Sequence, residues 1–183
     1  MDPIVESGMT FGPYPEGHCF YIEKSATYQA VQDEVQIAEF LLLRTPTQVE
    51  APVVWIVEAK SSSPKPERQP HFNQFISEIR EKLANALAVG IASMLKRHSL
   101  ATSELPEPFK TVDLATVGFR LVLIINGHEQ SWLPPLQDAL RKALKATTQT
   151  WALGANAVVV LNHEKAKDHG IISAFQAANK TAA

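Results

Sequence analysis

The sequence predicts an α/β fold in which a mixed β-sheet has helices on both faces, a three-layer arrangement. In the second half of the chain, apolar strand-like segments alternate with amphipathic helical segments, and this alternation favours parallel strand pairing. In the first half, two strand-like segments are joined by only eight residues, 45–52, which favours an antiparallel hairpin. The first of these two segments is largely apolar on both faces, which indicates a central strand covered on both sides.

The composition is that of an ordinary globular protein. The chain has 183 residues, 45% of them apolar and 20% charged, and its net charge is −2. These values exclude a disordered or low-complexity chain. The single cysteine, Cys19, excludes an internal disulfide and a cysteine-rich zinc site. The length fits one domain with a sizeable core, so we expect residues 1–183 to form a single domain.

The charge and hydropathy patterns also restrict location and partners. No apolar run approaches the roughly 20 residues that span a bilayer. Residues 1–6 lack the basic and apolar regions of a signal peptide. We therefore expect a cytoplasmic protein without a membrane partner. The near-neutral charge offers no general attraction to nucleic acid, so any such binding must be local.

The first half of the chain predicts an arm followed by strands and a short helix. Residues 1–18 are rich in Gly, Pro and small polar residues and predict an irregular arm. Residues 19–22 form the first strand-like run. Ser25 suits the cap of a short helix that ends near residue 32. Residues 36–44 alternate as a long strand, with one face formed by Ile37, Glu39, Leu41 and Leu43.

The middle of the chain predicts a buried strand and a long helix. Residues 53–57 are an apolar strand that ends in Glu58-Ala59-Lys60. Residues 61–70 are a polar, proline-rich break. Residues 71–97 predict a helix, because apolar residues recur at steps of three and four. Gly90 in this helix either bends it or admits a close neighbour.

The last part of the chain predicts two more strands and two helices. Residues 99–116 predict a loop and residues 117–125 a strongly apolar strand. Ser131 suits the cap of a helix that runs to about residue 151, and residues 157–161 predict a last buried strand. Asn162 suits the cap of a terminal helix. We expect a packed core over about residues 19–161, followed by a short helix and tail over 163–183.

One constellation of polar residues suggests chemistry. Glu58 and Lys60 are two residues apart at a strand end, so both side chains lie on one face. The carboxylate of Glu58 and the ammonium group of Lys60 are not needed for packing a hydrophobic core, so their presence at the end of an apolar strand suggests another role. Glu39 lies on the preceding strand, and the intervening hairpin brings it near Glu58. A buried carboxylate is costly unless it is paired or bound to a cation.

Two carboxylates and a lysine suit a metal-dependent hydrolase. Carboxylate oxygens are ligands for Mg²⁺ or Mn²⁺, and the bound metal polarises a phosphate and lowers the pKa of a water. A lysine orients that water or stabilises developing negative charge. We therefore predict that Glu39 and Glu58 ligate metal and that Lys60 orients or activates water in phosphodiester hydrolysis.

This pattern resembles that of a known family. An acid on one strand, Glu-x-Lys at the end of the adjacent strand, then a helix and a further strand resemble the PD-(D/E)xK nuclease superfamily, which has the restriction-endonuclease-like fold. The resemblance covers about residues 19–125 and is clearest over 36–60. It implies that Glu39 is the first acid, Glu58 the second and Lys60 the lysine, with DNA as substrate. The chain departs from the family pattern where Ala38-Glu39 replaces Pro-Asp.

The resemblance also suggests accessory residues. Some such nucleases carry a further acid before the hairpin or on the following helix. Glu23 is the upstream candidate and Glu78 the downstream one, while Gln74 loosely matches a functional glutamine of the family. Asp33 and Glu34 are alternatives for the first acid if the strand register differs.

Partners follow from the same interpretation. Lys65, Arg68 and His71 come after the motif and are candidates for contact with a DNA backbone. Two other small basic clusters, within 96–98 and 141–145, are more typical of ordinary charged surface. Many domains of this kind pair to cut two strands, so a homodimer or a place in a larger complex is compatible with the sequence.

Three alternatives remain open from the sequence. Glu39 is also placed to form a structural ion pair with Lys60 or Arg44. Two other functions remain as alternatives to the nuclease: a non-catalytic interaction subunit that keeps the nuclease-like fold, and a hydrolase or transferase that uses these acids without nucleic acid. Neither a phosphate-binding loop nor a dinucleotide fingerprint is present in the sequence.

Overall fold

Seven strands form two sheets within residues 3–45 and 51–173, the parts of the chain that the computed structural model describes. Strands β1 (Ile4–Glu6) and β2 (Met9–Phe11) form an antiparallel hairpin. The larger sheet has five strands in the order β3-β4-β5-β6-β7. These are β3 (Cys19–Phe20), β4 (Phe40–Arg44), β5 (Val53–Lys60), β6 (Gly118–Ile125) and β7 (Val158–Asn162).

The pairing of the larger sheet is mixed, as predicted. Strand β4 is antiparallel to both β3 and β5, while β5–β6 and β6–β7 are parallel. The helices are α1 (Ala26–Gln29), α2 (His71–Met94), α3 (Ala101–Glu104), α4 (Glu107–Lys110), α5 (Leu133–Ala143), α6 (Lys145–Thr150) and α7 (His163–Asp168). Short 3₁₀ turns occupy Ile22–Lys24 and Gln130–Trp132. The α/β class with a mixed sheet and flanking helices is confirmed.

The two faces of the larger sheet pack against different layers. On β5, Val54 and Ile56 join the apolar cluster that includes the buried faces of α2 and α5. Trp55 and Val57 join a second cluster, which includes the β1–β2 hairpin and Ala166 of α7. Because successive side chains of a strand alternate between faces, β5 is covered on both sides. The sheet is therefore the middle of three layers.

Helix α2 crosses one face of the sheet at short range. Its buried residues repeat at helical spacing and include Ile79, Leu83 and Leu87. Gly90 lies against β4, since a Cβ atom built on it would be 2.9 Å from Cδ1 of Leu41. The sequence predicted that Gly90 either bends the helix or admits a close neighbour, and the structure shows that it admits a close neighbour, Leu41. This approach brings the polar residues of the same helix within reach of the sheet end.

The prediction of an irregular arm over residues 1–18 is wrong. Ser7 and Gly8 have φ angles of 51° and 74°, the left-handed backbone that a two-residue hairpin turn requires. Met9 and Phe11 are 0% exposed, so the β1–β2 hairpin is part of the packed core and that core begins well before residue 19. Strands of only three residues are too short to show a periodic pattern, which leaves the Ser7-Gly8 turn as the local signal.

Other element boundaries differ from the predictions. Strand β4 begins at Phe40 rather than at residue 36, and residues 99–116 contain the short helices α3 and α4. The helix predicted over 131–151 is divided into α5 and α6 at Leu144, and Ser131 lies in the preceding 3₁₀ turn instead of capping it. The segment after Leu144 is rich in threonine, which has low helix propensity because its side chain is β-branched.

Two predicted helix caps are confirmed. Ser25 Oγ accepts a hydrogen bond from the Tyr28 amide at 3.0 Å, and Asn162 Oδ1 accepts one from the Lys165 amide at 2.9 Å. Helix α1 ends at Gln29, before the predicted residue 32. Part of the predicted loop at 45–52 and the end of the predicted C-terminal tail lie outside the described residues. Among the helices that the structure does describe, none combines the length and apolar character needed to cross a membrane.

Candidate functional site

Glu39 lies close to Glu58, next to the last residue pair of β4 and β5. Phe40 pairs with Val57, and the Glu39 amide donates a hydrogen bond to the Val57 carbonyl at 3.0 Å. Glu39 and Glu58 are the residues next to this last pair of the ladder, and the charge of Glu58 acts on the carboxyl group of Glu39, so the two side chains are neighbours. Glu58 lies on the face of β5 that α2 covers. Strand β5 also brings Lys60 to that face, at the carboxyl end where the parallel strand β6 ends as well.

Both carboxylates are buried. Glu58 is 0% exposed and Glu39 is 6% exposed. Lys60 Nζ and Lys82 Nζ each lie 3.1 Å from Oε1 of Glu58. The other oxygen of Glu58, Oε2, and Oε2 of Glu39 are buried and have no hydrogen-bond partner among the described residues. An unpartnered oxygen of a buried carboxylate is costly, so these two atoms mark an incomplete site.

Helix α2 supplies a stripe of polar side chains to this site. Gln74, Glu78, Lys82 and Asn85 are spaced by three or four residues and therefore share one helix face. Glu78 Oε1 lies 2.9 Å from Lys60 Nζ, and Asn85 Nδ2 donates to the Gln36 carbonyl at 2.9 Å. Gln74, the accessory glutamine of the sequence prediction, lies on this stripe one turn before Glu78 and is exposed.

Glu39 also belongs to a second group of acids, which we call the acidic cluster: Glu6, Glu23 and Glu39. One carboxylate oxygen of each lies within 4.8 Å of the others. Glu6 ends β1, Glu23 lies in the 3₁₀ turn, and Glu39 precedes β4. The Glu23 amide donates to the Glu39 carbonyl at 3.2 Å, and the Tyr21 hydroxyl donates to Glu6 Oε1. The predicted accessory acid Glu23 therefore lies beside Glu39, whereas Glu58 is not one of these three.

Burial and nearby charges shift the pKa values of the acids of the site. Burial, the negative charges of Glu58, Glu23 and Glu6, and a side-chain hydrogen bond with Glu23 together raise the pKa of Glu39 to about 8, and burial is the largest cause. Burial also raises the pKa of Glu58, while the charges of Lys82 and Lys60 oppose that rise. Glu39 therefore takes up a proton near neutral pH unless a cation compensates its charge.

Lys60 stays charged. Burial lowers its pKa, but the hydrogen bonds and negative charges of Glu78 and Glu58 outweigh that effect and hold the pKa above its ordinary value. Its side chain is 25% exposed, so the ammonium group is reachable from solvent. The site therefore offers a fixed positive charge next to buried carboxylates.

The structural ion pair predicted as an alternative for Glu39 is absent from the described residues. Lys60 pairs with Glu58 and Glu78 instead. Arg44 donates to the His169 carbonyl at 2.7 Å, and its guanidinium lies 4.8 Å from the ring centre of Trp55, which faces the other side of the sheet. Neither cation compensates the charge of Glu39.

The remaining candidates lie on the surface. Asp33 and Glu34 are exposed, so the acid that occupies the buried position is Glu39, in the predicted register. Lys65, Arg68 and His71 are also exposed. Lys65 Nζ lies 4.7 Å from the ring centre of Trp132. In the described parts of the chain, no hydrogen bond or ion pair links these three basic residues to the buried carboxylates.

Two residues of the site were missed from the sequence. Lys82 is four residues after Glu78, a spacing that places both on one helix face, and this was the signal that it faces the site. Glu6 was assigned to the irregular arm. The short apolar segments on either side of Ser7-Gly8, a two-residue turn signal, indicate a hairpin whose first strand ends at Glu6.

Comparisons with models of protein families, with curated proteins and with solved structures found no match to this chain. The class of protein is therefore defined by its geometry. It is an α/β protein with a mixed five-stranded sheet and flanking helices, and an acid–lysine site lies where β5 ends. In sheets with parallel strands, the carboxyl ends of the strands are the usual place for ligand binding.

Proposed function

We propose that the protein is a nuclease that uses Mg²⁺ or Mn²⁺ to hydrolyse DNA phosphodiester bonds. The observation that carries this proposal is the pair of buried carboxylates, Glu39 and Glu58, each with one unpartnered oxygen beside the charged Lys60. A structural ion-pair network satisfies its oxygen atoms, whereas a metal site leaves some of them available for the ion.

The proposal includes the restriction-endonuclease-like fold. The acid lies immediately before β4, Glu-x-Lys ends the antiparallel neighbour β5, helix α2 follows, and β6 returns parallel to β5. This order is the one that the resemblance to PD-(D/E)xK nucleases implies. It supports the proposed fold over an arbitrary α/β arrangement, in which the two acids have no reason to lie close together.

The donor atoms fit a hard divalent cation. Glu39 and Glu58 offer carboxylate oxygens, which Mg²⁺ and Mn²⁺ prefer, and they would hold the ion. When bound, such an ion polarises a phosphate and lowers the pKa of a water. Its positive charge would also compensate the charges of the two buried carboxylates.

Lys60 supplies the fixed positive charge of the proposed reaction. Its Nζ is held between Glu58 at 3.1 Å and Glu78 at 2.9 Å. Negative charge develops on the phosphate oxygens as water attacks phosphorus, and an ammonium group placed there stabilises it. Glu78 is 44% exposed, so its carboxylate can move aside when a phosphate approaches Lys60. Lys82 keeps Glu58 in place from α2.

DNA contact is assigned to the loop between β5 and α2. Lys65, Arg68 and His71 are exposed there, directly after the Glu-x-Lys segment. Because the chain as a whole carries a net charge of −2, this binding depends on few phosphate contacts. A homodimer, or assembly with another subunit, would provide the second site that cleavage of both strands needs.

The direct test is a cleavage assay with Mg²⁺ or Mn²⁺ on supercoiled, linear and single-stranded DNA. We expect cleavage by the wild type, loss of at least a hundredfold in Lys60→Ala, and an unchanged rate in Lys142→Ala, which alters an exposed lysine of α5. No cleavage of any substrate with either metal, or equal cleavage by Lys60→Ala, would refute the proposed activity.

A second candidate function is a non-catalytic interaction subunit with this fold. The observation that favours it is the closed network in which Lys60 and Lys82 both contact Oε1 of Glu58 and Lys60 also contacts Glu78. Such a network neutralises Glu58 without a metal. Calorimetry separates the two candidates: a Mg²⁺ or Mn²⁺ site that Glu58→Ala abolishes supports the nuclease, and its absence supports the interaction subunit.

A further inference from the structure

The acidic cluster brings three carboxylates together from separate elements. Glu6 comes from β1, Glu23 from the 3₁₀ turn and Glu39 from the residue before β4, with one oxygen of each within 4.8 Å of the others. Among the described residues, the one ion pair of this cluster joins Glu23 to Lys24 at 3.4 Å, and Lys24 is 65% exposed. The charge of the cluster is therefore poorly compensated by the protein itself.

Glu39 is the buried member of the acidic cluster. It is 6% exposed, and its Oε2 is buried without a hydrogen-bond partner among the described residues. Surface acids that happen to be close are each hydrated, and their proximity costs little. A nearly buried carboxylate with an open oxygen is different, because it has lost water without gaining a partner. A bound cation would satisfy that oxygen.

Three hydrogen bonds hold the hairpin turn and Glu6 in place beside the other two acids. Ser7 Oγ donates to the Ala59 carbonyl at 3.0 Å, Asn126 Nδ2 donates to the Ser7 carbonyl at 3.1 Å, and the Tyr21 hydroxyl donates to Glu6 Oε1. The first two tie the hairpin turn to the ends of β5 and β6. The third orients the carboxylate. These contacts fix a third carboxyl group beside two others, and the repulsion among their charges is relieved by a bound cation or by a proton on Glu39.

We propose that Glu6, Glu23 and Glu39 bind a divalent cation of the oxygen-preferring class, such as Mn²⁺ or Mg²⁺. The three carboxylates supply oxygen ligands, and water completes the coordination, as is usual for these ions. This cation site goes beyond the proposed function, because it shares Glu39 with that site but requires neither Glu58 nor Lys60. Its ligand from the N-terminal hairpin, Glu6, has no part in the Glu-x-Lys motif.

Mn²⁺ binding by the full chain tests the proposal, measured by electron paramagnetic resonance of free Mn²⁺ and by calorimetry. The key variant is Glu6→Gln, which keeps an acceptor for Tyr21 and removes only the charge. We expect Mn²⁺ binding at this site to weaken at least tenfold in Glu6→Gln and in Glu23→Gln. The matched control Glu16→Gln, an exposed acid of the same N-terminal region, should bind as the wild type does.

Thermal unfolding separates a ligand from a structural residue. In EDTA, we expect Glu6→Gln to be at least as stable as the wild type, since it removes like-charge repulsion. We also expect it to lose most of the rise in Tm that Mn²⁺ gives the wild type. A lower Tm in EDTA together with a full Mn²⁺-dependent rise would overturn the proposal and make Glu6 a structural residue.

The variant Glu58→Gln distinguishes this site from the proposed nuclease site. We expect Glu58→Gln to retain the Mn²⁺ ion that Glu6→Gln loses. Absence of Mn²⁺ binding by the wild type at millimolar concentration overturns the cation site. Loss of all Mn²⁺ in Glu58→Gln, with full binding in Glu6→Gln, overturns it as well. Failure to cleave DNA leaves these binding outcomes unchanged and refutes only the nuclease.

Discussion

Lys82 Nζ lies 3.1 Å from Oε1 of Glu58, the same oxygen that Lys60 Nζ contacts at 3.1 Å. Lys82 comes from helix α2 and Lys60 from strand β5, so a helix and a strand each supply a cation to one carboxylate. Because Glu58 is 0% exposed, these contacts compensate the cost of burying its charge. The packing of α2 on the sheet and the charge state of the site are therefore linked.

The first prediction concerns the stability that Lys82 provides. Lys82→Met should lower the free energy of unfolding by about 1–3 kcal/mol, less than the full loss of a buried ion pair because Lys60 remains. Urea denaturation at pH 7 measures this difference. The control Lys142→Met changes an exposed lysine and should stay within about 0.5 kcal/mol of the wild type. An equally small effect of Lys82→Met would show that the contact with Glu58 contributes nothing to stability.

The second prediction concerns pH. The pKa of Glu39 is about 8 in the folded protein and 4.5 as its ordinary value, so between these values the folded state binds more protons than the unfolded state. The free energy of unfolding in EDTA should therefore fall as pH rises from about 5 to about 8. The slope from Glu39 should be a fraction of the roughly 1.4 kcal/mol per pH unit that one full proton gives, because partial solvation and coupling reduce it.

Glu39→Gln tests that assignment. Its stability relative to the wild type should increase with pH across this window, since glutamine neither binds the proton nor carries the charge. Glu16→Gln should follow the wild-type curve, because Glu16 is an exposed acid outside the acidic cluster. Parallel curves for Glu39→Gln and the wild type, measured by urea denaturation at several pH values, would show that Glu39 does not titrate in this window.

The third prediction concerns the close approach of α2 to the sheet. Gly90→Ala gains about 1 kcal/mol of helix propensity, but the new methyl group would lie 2.9 Å from Cδ1 of Leu41, a residue that is 1% exposed. Overpacking in a closed core costs about 1–3 kcal/mol, so the net effect should be destabilising.

A double-mutant cycle isolates this contact. In a Leu41→Ala background the space next to residue 90 is open, so Gly90→Ala should become neutral or stabilising there. Urea denaturation of the four proteins gives the coupling between the two positions. If Gly90→Ala has the same effect in both backgrounds, the contact with Leu41 is not what requires glycine.

The fourth prediction concerns DNA binding, and it depends on the proposed function. If Arg68 contacts a phosphate, Arg68→Gln should weaken binding similarly for all sequences and reduce the slope of log affinity against log salt by about 1. Fluorescence anisotropy with Ca²⁺ in place of Mg²⁺ measures affinity without cleavage. Arg141→Gln, at an exposed position of α5, should leave the slope unchanged. An unchanged slope in Arg68→Gln would remove the loop before α2 from the DNA-binding surface.

Much of the architecture could be predicted because it depends on local pattern. A continuous apolar run identified β5, and three- and four-residue spacing identified α2, which ends at Met94 near the expected boundary. Ser25 and Asn162 were recognisable as caps because capping depends on one side chain and the next few amides. The short strands β1 and β2 were missed because three residues are too few for a periodic signal.

The sequence by itself determined the mixed α/β sheet and the placement of Glu39, Glu58 and Lys60 near one end of the hairpin, because strand alternation and hairpin connection are local. Only the tertiary structure decided which charges surround them. Lys82 reaches Glu58 because α2 packs closely on the sheet at Gly90, and Glu6 reaches Glu39 because the N-terminal hairpin is tied to the ends of β5 and β6. Such contacts join residues far apart in the chain, and their distances depend on how whole elements pack.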